Sequence, residues 1–326
     1  MTLLLTMRSD RNSLNTKQVA PKKMRLTRWA VGSALALFGL WLVTCWYVSE
    51  QFLSLGIVDY VKSEELEILD GFELASLSRR ALDIQGEGIS LSASFFEHPN
   101  PTDCAVILLP GIGGYRTQVL PALPMFWDRG CHILAYDPRG TGASERATRT
   151  FGYLEKKDNA AVIRWVQTET GLKTSRIGIW GPSFGAAVGI LTLDEIESLG
   201  FVIADSTFSS FGQVVLDTIA LLSNATVAGF LSPGVIWILE NRTGMDANEV
   251  SPQRTVSEIT TPLLLIHARE DPAMDVSHTQ RVFDARNSDT TVAEITDWGA
   301  GHADSAIVDP VAYQHLVDSF LRSNGF

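Results

Sequence analysis

The chain has 326 residues, 45% of them apolar and 19% charged, with 26 Gly, 13 Pro and 3 Cys, which leaves room for a large core and excludes disordered, collagen-like and disulfide-scaffold classes. The net charge of −11 is unevenly spread: residues 1–28 hold seven Lys and Arg against Asp10 alone, a net +6, so the remainder carries −17. A body this acidic cannot displace counterions from phosphate backbones, and nucleic acid is excluded as a partner.

In chain order, the first element is Trp29–Val48, twenty residues without a charge. That length matches the thickness of a bilayer core, and Trp29 at one end with Trp46 and Tyr47 at the other set amphipathic rings at headgroup level. A helix of a soluble protein would keep a polar face over this length, and no small-x-small cleavage pattern follows the apolar run as it would in a signal peptide. The pattern predicts a transmembrane anchor at 29–48, with a basic cytoplasmic tail at 1–28 and a lead-in at 49–79. The positive-inside rule holds the tail in the cytoplasm, which puts the domain at 80–326 on the extracytoplasmic side.

From residue 80, short β-rich runs alternate with helical patterns, the signature of an α/β fold with a mostly parallel sheet covered on both faces. Eight strands are predicted, at Arg80–Ile84, Ile89–Glu97, Cys104–Leu109, Cys131–Tyr136, Arg176–Gly181, Phe201–Ala204, Pro262–His267 and Thr291–Ile295. Helices are predicted at 116–129, 153–169, 184–196, 277–286 and 310–322. The stretch 207–256 is too long for an ordinary connection; its apolar runs Val214–Leu222 and Val227–Leu239, broken by Pro233 and Gly234, predict a helical cap or a packed satellite core. Cys104 and Cys131 begin strands expected to be neighbours, which would let them bond in an oxidising compartment. Free Cys behaves as a small hydrophobe, and the expectation is two buried thiols.

The chemistry centres on Gly181-Pro182-Ser183-Phe184-Gly185, where a strand ends and a small-residue helix begins. The bare G-x-S-x-G pattern is weak evidence, but at a sharp strand-to-helix turn it lifts a serine hydroxyl out of a strained backbone, and the helix N-terminus favours developing negative charge. A serine needs a base, and a base needs an orienting group. Of six histidines, His98 and His132 lie at the wrong end of a parallel sheet, His278 and His315 fall in helices, and His267 ends a strand, where a core role suffices. His302, in the loop Trp298-Gly299-Ala300-Gly301-His302-Ala303, is the candidate base. Asp271, in the loop after the seventh strand and between Ser183 and His302 in the chain, is the candidate acid, with Glu270 and Asp205 as alternatives. The backbone N–H groups of Phe184 and Ile112, the latter in Leu109-Pro110-Gly111-Ile112-Gly113-Gly114, are the candidate oxyanion hole. No metal-ligand spacing, phosphate-binding loop or dinucleotide fingerprint occurs, so neither metal nor cofactor is expected.

With the glycine loop at 109–114, the segment Asp137-Pro138-Arg139-Gly140-Thr141-Gly142-Ala143-Ser144, the serine elbow, Asp271 and His302, the chain resembles the α/β-hydrolases, especially the membrane-anchored BEM46/YqkD-like serine hydrolases. The resemblance covers about residues 80–322 and departs from the pattern at Pro110, where His is common, and at Pro182. It implies an α/β-hydrolase fold with Arg139 holding loops, and acyl transfer to water through Ser183, His302 and Asp271. A small-molecule or lipid-like acyl ester is the expected substrate. A peptidase or amidase of the same fold is the alternative, and a non-catalytic membrane-tethered binding protein is the reading from another class.

Overall fold

In the computed structural model, which describes residues 22–55, 77–100, 102–286 and 289–326, the eight predicted strands form one sheet. The tail before residue 22 and the part of the lead-in at 56–76 lie outside the described residues. The strands are β1 Arg79–Gln85, β2 Ser90–Phe96, β3 Ala105–Leu108, β4 His132–Tyr136, β5 Ile177–Pro182, β6 Phe201–Asp205, β7 Leu263–Ala268 and β8 Thr291–Thr296. Their order is β1-β2-β4-β3-β5-β6-β7-β8. β2 pairs antiparallel with β1 and β4, and every later pairing is parallel. The central strands β3, β6 and β7 are buried at every position, which is why their sequences are continuous apolar runs instead of alternating ones. β8 at the edge has one side open and reverts to alternating partial exposure.

The helices are α1 Lys22–Ser54, α2 Leu123–Trp127, α3 Glu155–Thr170, α4 Phe184–Leu191, α5 Phe211–Leu222, α6 Ala225–Thr243, α7 Pro252–Thr255, α8 Ser277–Ala285, α9 Ser305–Val308 and α10 Pro310–Ser323. Three expectations need correction. The single helix predicted at 116–129 is a 3-10 stretch, Arg116–Ala122, followed by the one-turn α2, because Pro121 and Pro124 remove amide donors from the ladder. Conversely, Pro233 does not break α6, which runs through it; Pro233 and Gly229 both face outward, so the missing hydrogen bond disturbs no packed core. Finally, Cys104 and Cys131 are not free thiols but a disulfide. β3 and β4 pair in parallel with the His132 N–H on the Cys104 carbonyl at 3.0 Å, which brings the two Cα atoms within 4.7 Å.

The chain divides into two units, residues 1–44 and 45–326. α1 begins in the first unit, where its residues 29–44 are apolar and largely exposed, and its last turns, from Cys45, belong to the second; Trp29–Ser54 is long and apolar enough to cross a membrane. In the second, α3 and α4 cover one part of the sheet, while Val119, Phe126, Tyr313, Val317 and Phe320 pack on β3–β7 in a continuous core. Parallel strands present all their C-terminal ends at one edge, where ligand sites form in open α/β sheets.

Candidate active site

Ser183 joins β5 to α4 with φ 52° and ψ −117°, a conformation that costs an L-residue about 1–3 kcal/mol and persists only where its surroundings enforce it. Here they do. A Cβ on Gly185 would lie 2.4 Å from the Leu109 carbonyl oxygen and 2.7 Å from that of Pro110, and one on Gly181 would lie 2.7 Å from the Gly185 backbone. Glycine at both flanks therefore lets the turn close against the 109–114 loop, while the Ser183 N–H donates to the Asp205 carbonyl at 2.7 Å.

The loop after β8 brings His302 to this turn. Its Nε2 lies 2.7 Å from Ser183 Oγ, and its Nδ1 lies 2.7 Å from Asp271 Oδ2. An ionised carboxylate only accepts, so Nδ1 carries the proton and Nε2 accepts from the serine hydroxyl. Asp271 Oδ1 accepts from the N–H groups of Ala273 at 2.8 Å and Met274 at 2.9 Å. Burial pushes the Asp271 carboxyl up, but hydrogen bonds from His267, His302 and the Met274 N–H outweigh it and hold the group well below the usual carboxylate range. The site therefore contains a fixed negative charge, an oriented imidazole and a serine in one hydrogen-bonded line.

The loop that carries Ile112 adjoins the same turn. Gly111 is close enough that a Cβ there would come within 3.9 Å of Ser183 Cβ, and the Gly114 N–H donates to the Gly111 carbonyl at 3.0 Å to close the loop. Among the described residues, the N–H groups of Ile112 and Phe184 have no acceptor within the protein, which leaves both able to meet a ligand oxygen. Of the alternative acids, Glu270 is exposed, and Asp205 is buried at the end of β6. Burial raises the Asp205 carboxyl to about 6, against hydrogen bonds from Ser206 and Tyr313.

Two residues contribute more than sequence reasoning gave them. His267, read as a satisfied core residue, has its Nδ1 2.7 Å from Thr279 Oγ1, while its Nε2 donates to the Met274 carbonyl at 2.9 Å and lies 3.3 Å from Asp271 Oδ2. It thus fastens the acid loop from inside. Ser206, with φ 58°, accepts from the Ala303 N–H at 3.2 Å and donates to Asp205 at 3.0 Å, tying the base loop to β6. The small polar run Asp205-Ser206-Thr207 after a buried strand was the available signal.

Arg139 holds scaffold. Its guanidinium meets both oxygens of Asp158 at 2.7 and 2.9 Å and the Glu87 carbonyl at 3.2 Å, a bidentate pair buried behind the site. Asp137 accepts from the Arg116 N–H at 2.8 Å, the Arg116 guanidinium at 2.6 Å and the Ala143 N–H at 2.8 Å. A groove of about 420 Å³ runs between α5 and the acid loop, lined among others by Val214, Asp217, Leu221, Met274 and His278. It reaches Asp271 but neither Ser183 nor His302.

The profile of the prolyl oligopeptidase family matches residues 119–323, which hold the elbow, the acid loop and the base loop. The chain belongs to the prolyl oligopeptidase family. Within that family's α/β-hydrolase fold, the protein is similar to YqkD of Bacillus subtilis, 30% identical over 226 residues that span 68% of this chain and 72% of YqkD. It is also similar to the lysophosphatidylserine lipase ABHD12 of Danio rerio, 23% identical over 53% of this chain and 43% of the lipase. The esterase Pf2001 of Pyrococcus furiosus superposes with a TM-score of 0.61 at 23% identity, over 82% of this chain and 97% of the esterase. The acylaminoacyl peptidase of Pyrococcus horikoshii reaches 0.57 at 16% identity, over 78% of this chain and 43% of the peptidase. Both superpositions show the α/β-hydrolase fold alone and leave the substrate to the site.

Proposed function

We propose that this chain is a membrane-anchored serine hydrolase of carboxylic esters. His302 takes the proton of Ser183 as Ser183 Oγ attacks the ester carbonyl; Asp271 stabilises the imidazolium, and the N–H groups of Ile112 and Phe184 hold the oxyanion. His302 then protonates the departing alkoxide. Water, deprotonated by the same imidazole, cleaves the acyl-enzyme and returns Ser183 to its resting state. The observation that carries this reading is the unbroken line Ser183 Oγ, His302, Asp271, with both contacts at 2.7 Å on a serine held at positive φ.

The apolar cap favours an ester with an acyl chain, and an orientation with the tail in the cytoplasm puts the hydrolase domain outside, where the Cys104–Cys131 bond would persist. Peptide hydrolysis is the second reading, favoured by the family match and by the acylaminoacyl peptidase among similar structures. An acyl-chain-length series of nitrophenyl esters beside acyl-peptide and aminoacyl amides, run on the detergent-solubilised chain with Ser183→Ala as control, separates them. Ester turnover that exceeds amide turnover and disappears with Ser183→Ala is the expected result; preference for amides overturns the ordering.

A further inference from the structure

From Thr218 to Leu239 the cap runs twenty-two residues without a charge, and its second helix, α6, carries no charged side chain before Glu240. One side of α6 packs inward through Ala228, Leu231, Val235 and Ile238. The other side leaves Phe230 66% and Trp237 58% exposed on a stripe with Pro233, and the turn before it exposes Leu221 at 72% and Leu222 at 86%. A helix that is apolar all round belongs in a core or against lipid, and half of this one is outside the core.

What lies beside α6 decides between water and lipid. The last turns of α1 pack on the cap through Cys45, Ser49 and Phe52, all buried. Cys45 Sγ approaches the Leu231 carbonyl at 3.7 Å and Phe52 meets the Phe211 ring. Further along, Arg242 pairs with Glu50 at 2.6 Å and stacks over the Trp46 ring. Because Cys45 matches Leu231 and Glu50 matches Arg242, the two helices advance in the same sense. The residues of α6 before Leu231, about six at 1.5 Å each, therefore extend about 9 Å past Cys45 on the side away from Glu50. Arg242, Glu50 and Trp46 mark the polar level, where guanidinium and indole groups sit at the headgroups, and Leu222, Val227 and Phe230 lie beyond it on the apolar side.

We propose that the tip of the α5–α6 hairpin, Leu222, Val227 and Phe230, is a membrane-contact surface that dips into the same bilayer α1 crosses, so that the cap takes acyl substrate from the lipid layer. The inference rests on α1 being a membrane span and deepens the ester-hydrolase reading. A shallow apolar insertion beside an anchor adds no new tether; it sets how the cap faces lipid.

The test uses the full chain in phosphatidylcholine–phosphatidylglycerol nanodiscs holding one copy each. Cys45 is buried and the other cysteines are bonded, so Leu222→Cys, Phe230→Cys and, as a control on the remote exposed surface, Lys173→Cys each offer one reactive thiol for a polarity-sensitive nitrobenzoxadiazole label. Labels at 222 and 230 should emit to the blue, resist aqueous iodide and be quenched by spin-labelled acyl chains, with the opposite at 173. Labels at 222 and 230 as wet as the label at 173 overturn the proposal, as does shielding that occurs only when several copies share a bilayer, which would make a second copy the occupant. In parallel, Leu222→Ser with Phe230→Ser should lower hydrolysis of a long-chain monoacylglycerol in the disc about tenfold while sparing a water-soluble butyrate ester. If the labels are shielded but no ester turns over, the membrane surface stands and the ester reading falls.

Discussion

Replacing Asp205 by Asn removes a carboxyl that the fold holds in an unfavourable state at neutral pH. The group is fully buried, and its titration moves from 3.8 to about 6, chiefly through desolvation. A raised carboxyl stabilises the fold while protonated, fully below pH 3.8, and that contribution is lost as pH rises through about 6. A shift of this size corresponds to about 3 kcal/mol across the whole window, of which about 1.4 kcal/mol disappears between pH 5 and pH 8. The amide keeps an oxygen to accept from Ser206 and Tyr313 but cannot ionise. Denaturant titration of the solubilised wild type and Asp205→Asn at both pH values should therefore show the variant gaining about 1.4 kcal/mol on the wild type from pH 5 to pH 8. An equal stability difference at the two pH values would refute the assignment of a protonatable carboxyl beneath the site.

Reducing the Cys104–Cys131 bond, which spans 27 residues, should cost about 3–4 kcal/mol by loop-closure entropy, seen as a lower denaturation midpoint with reductant; no shift would contradict a closed bond in the native protein. Gly185→Ala places a methyl 2.4 Å from the Leu109 carbonyl oxygen, so the 109–114 loop must move. It should lose about 1–3 kcal/mol of stability and about a hundredfold in kcat/KM, as measured by melting and ester kinetics. Asp271→Asn should lower kcat about 10⁴-fold with little change in KM, because a neutral amide no longer stabilises the imidazolium; a loss under tenfold would remove Asp271 from that role.

The parallel core was readable because strands buried on both faces leave continuous apolar runs, and β3, β6 and β7 fell within a residue or two of their predicted bounds. The turn around Ser183 was legible for a similar local reason: two glycines flank a serine where strand chemistry gives way to small helical residues. What sequence missed depends on through-space neighbours. The disulfide follows from the β3–β4 register, and the contacts of His267 with Asp271 and of Ser206 with Ala303 join loops far apart in the chain. Pro121 and Pro124 were visible and should have shortened the predicted helix, whereas Pro233 was read as a break although its outward side tolerates the lost bond.

The most direct measurement is labelling of the folded chain with a fluorophosphonate, which reacts only with a serine activated by its neighbours. Stoichiometric modification mapped to Ser183, abolished by His302→Ala in a variant that melts like the wild type, is the expected result. A well-folded wild-type protein that takes up no probe, or one labelled at another serine, would contradict nucleophilic catalysis at this turn.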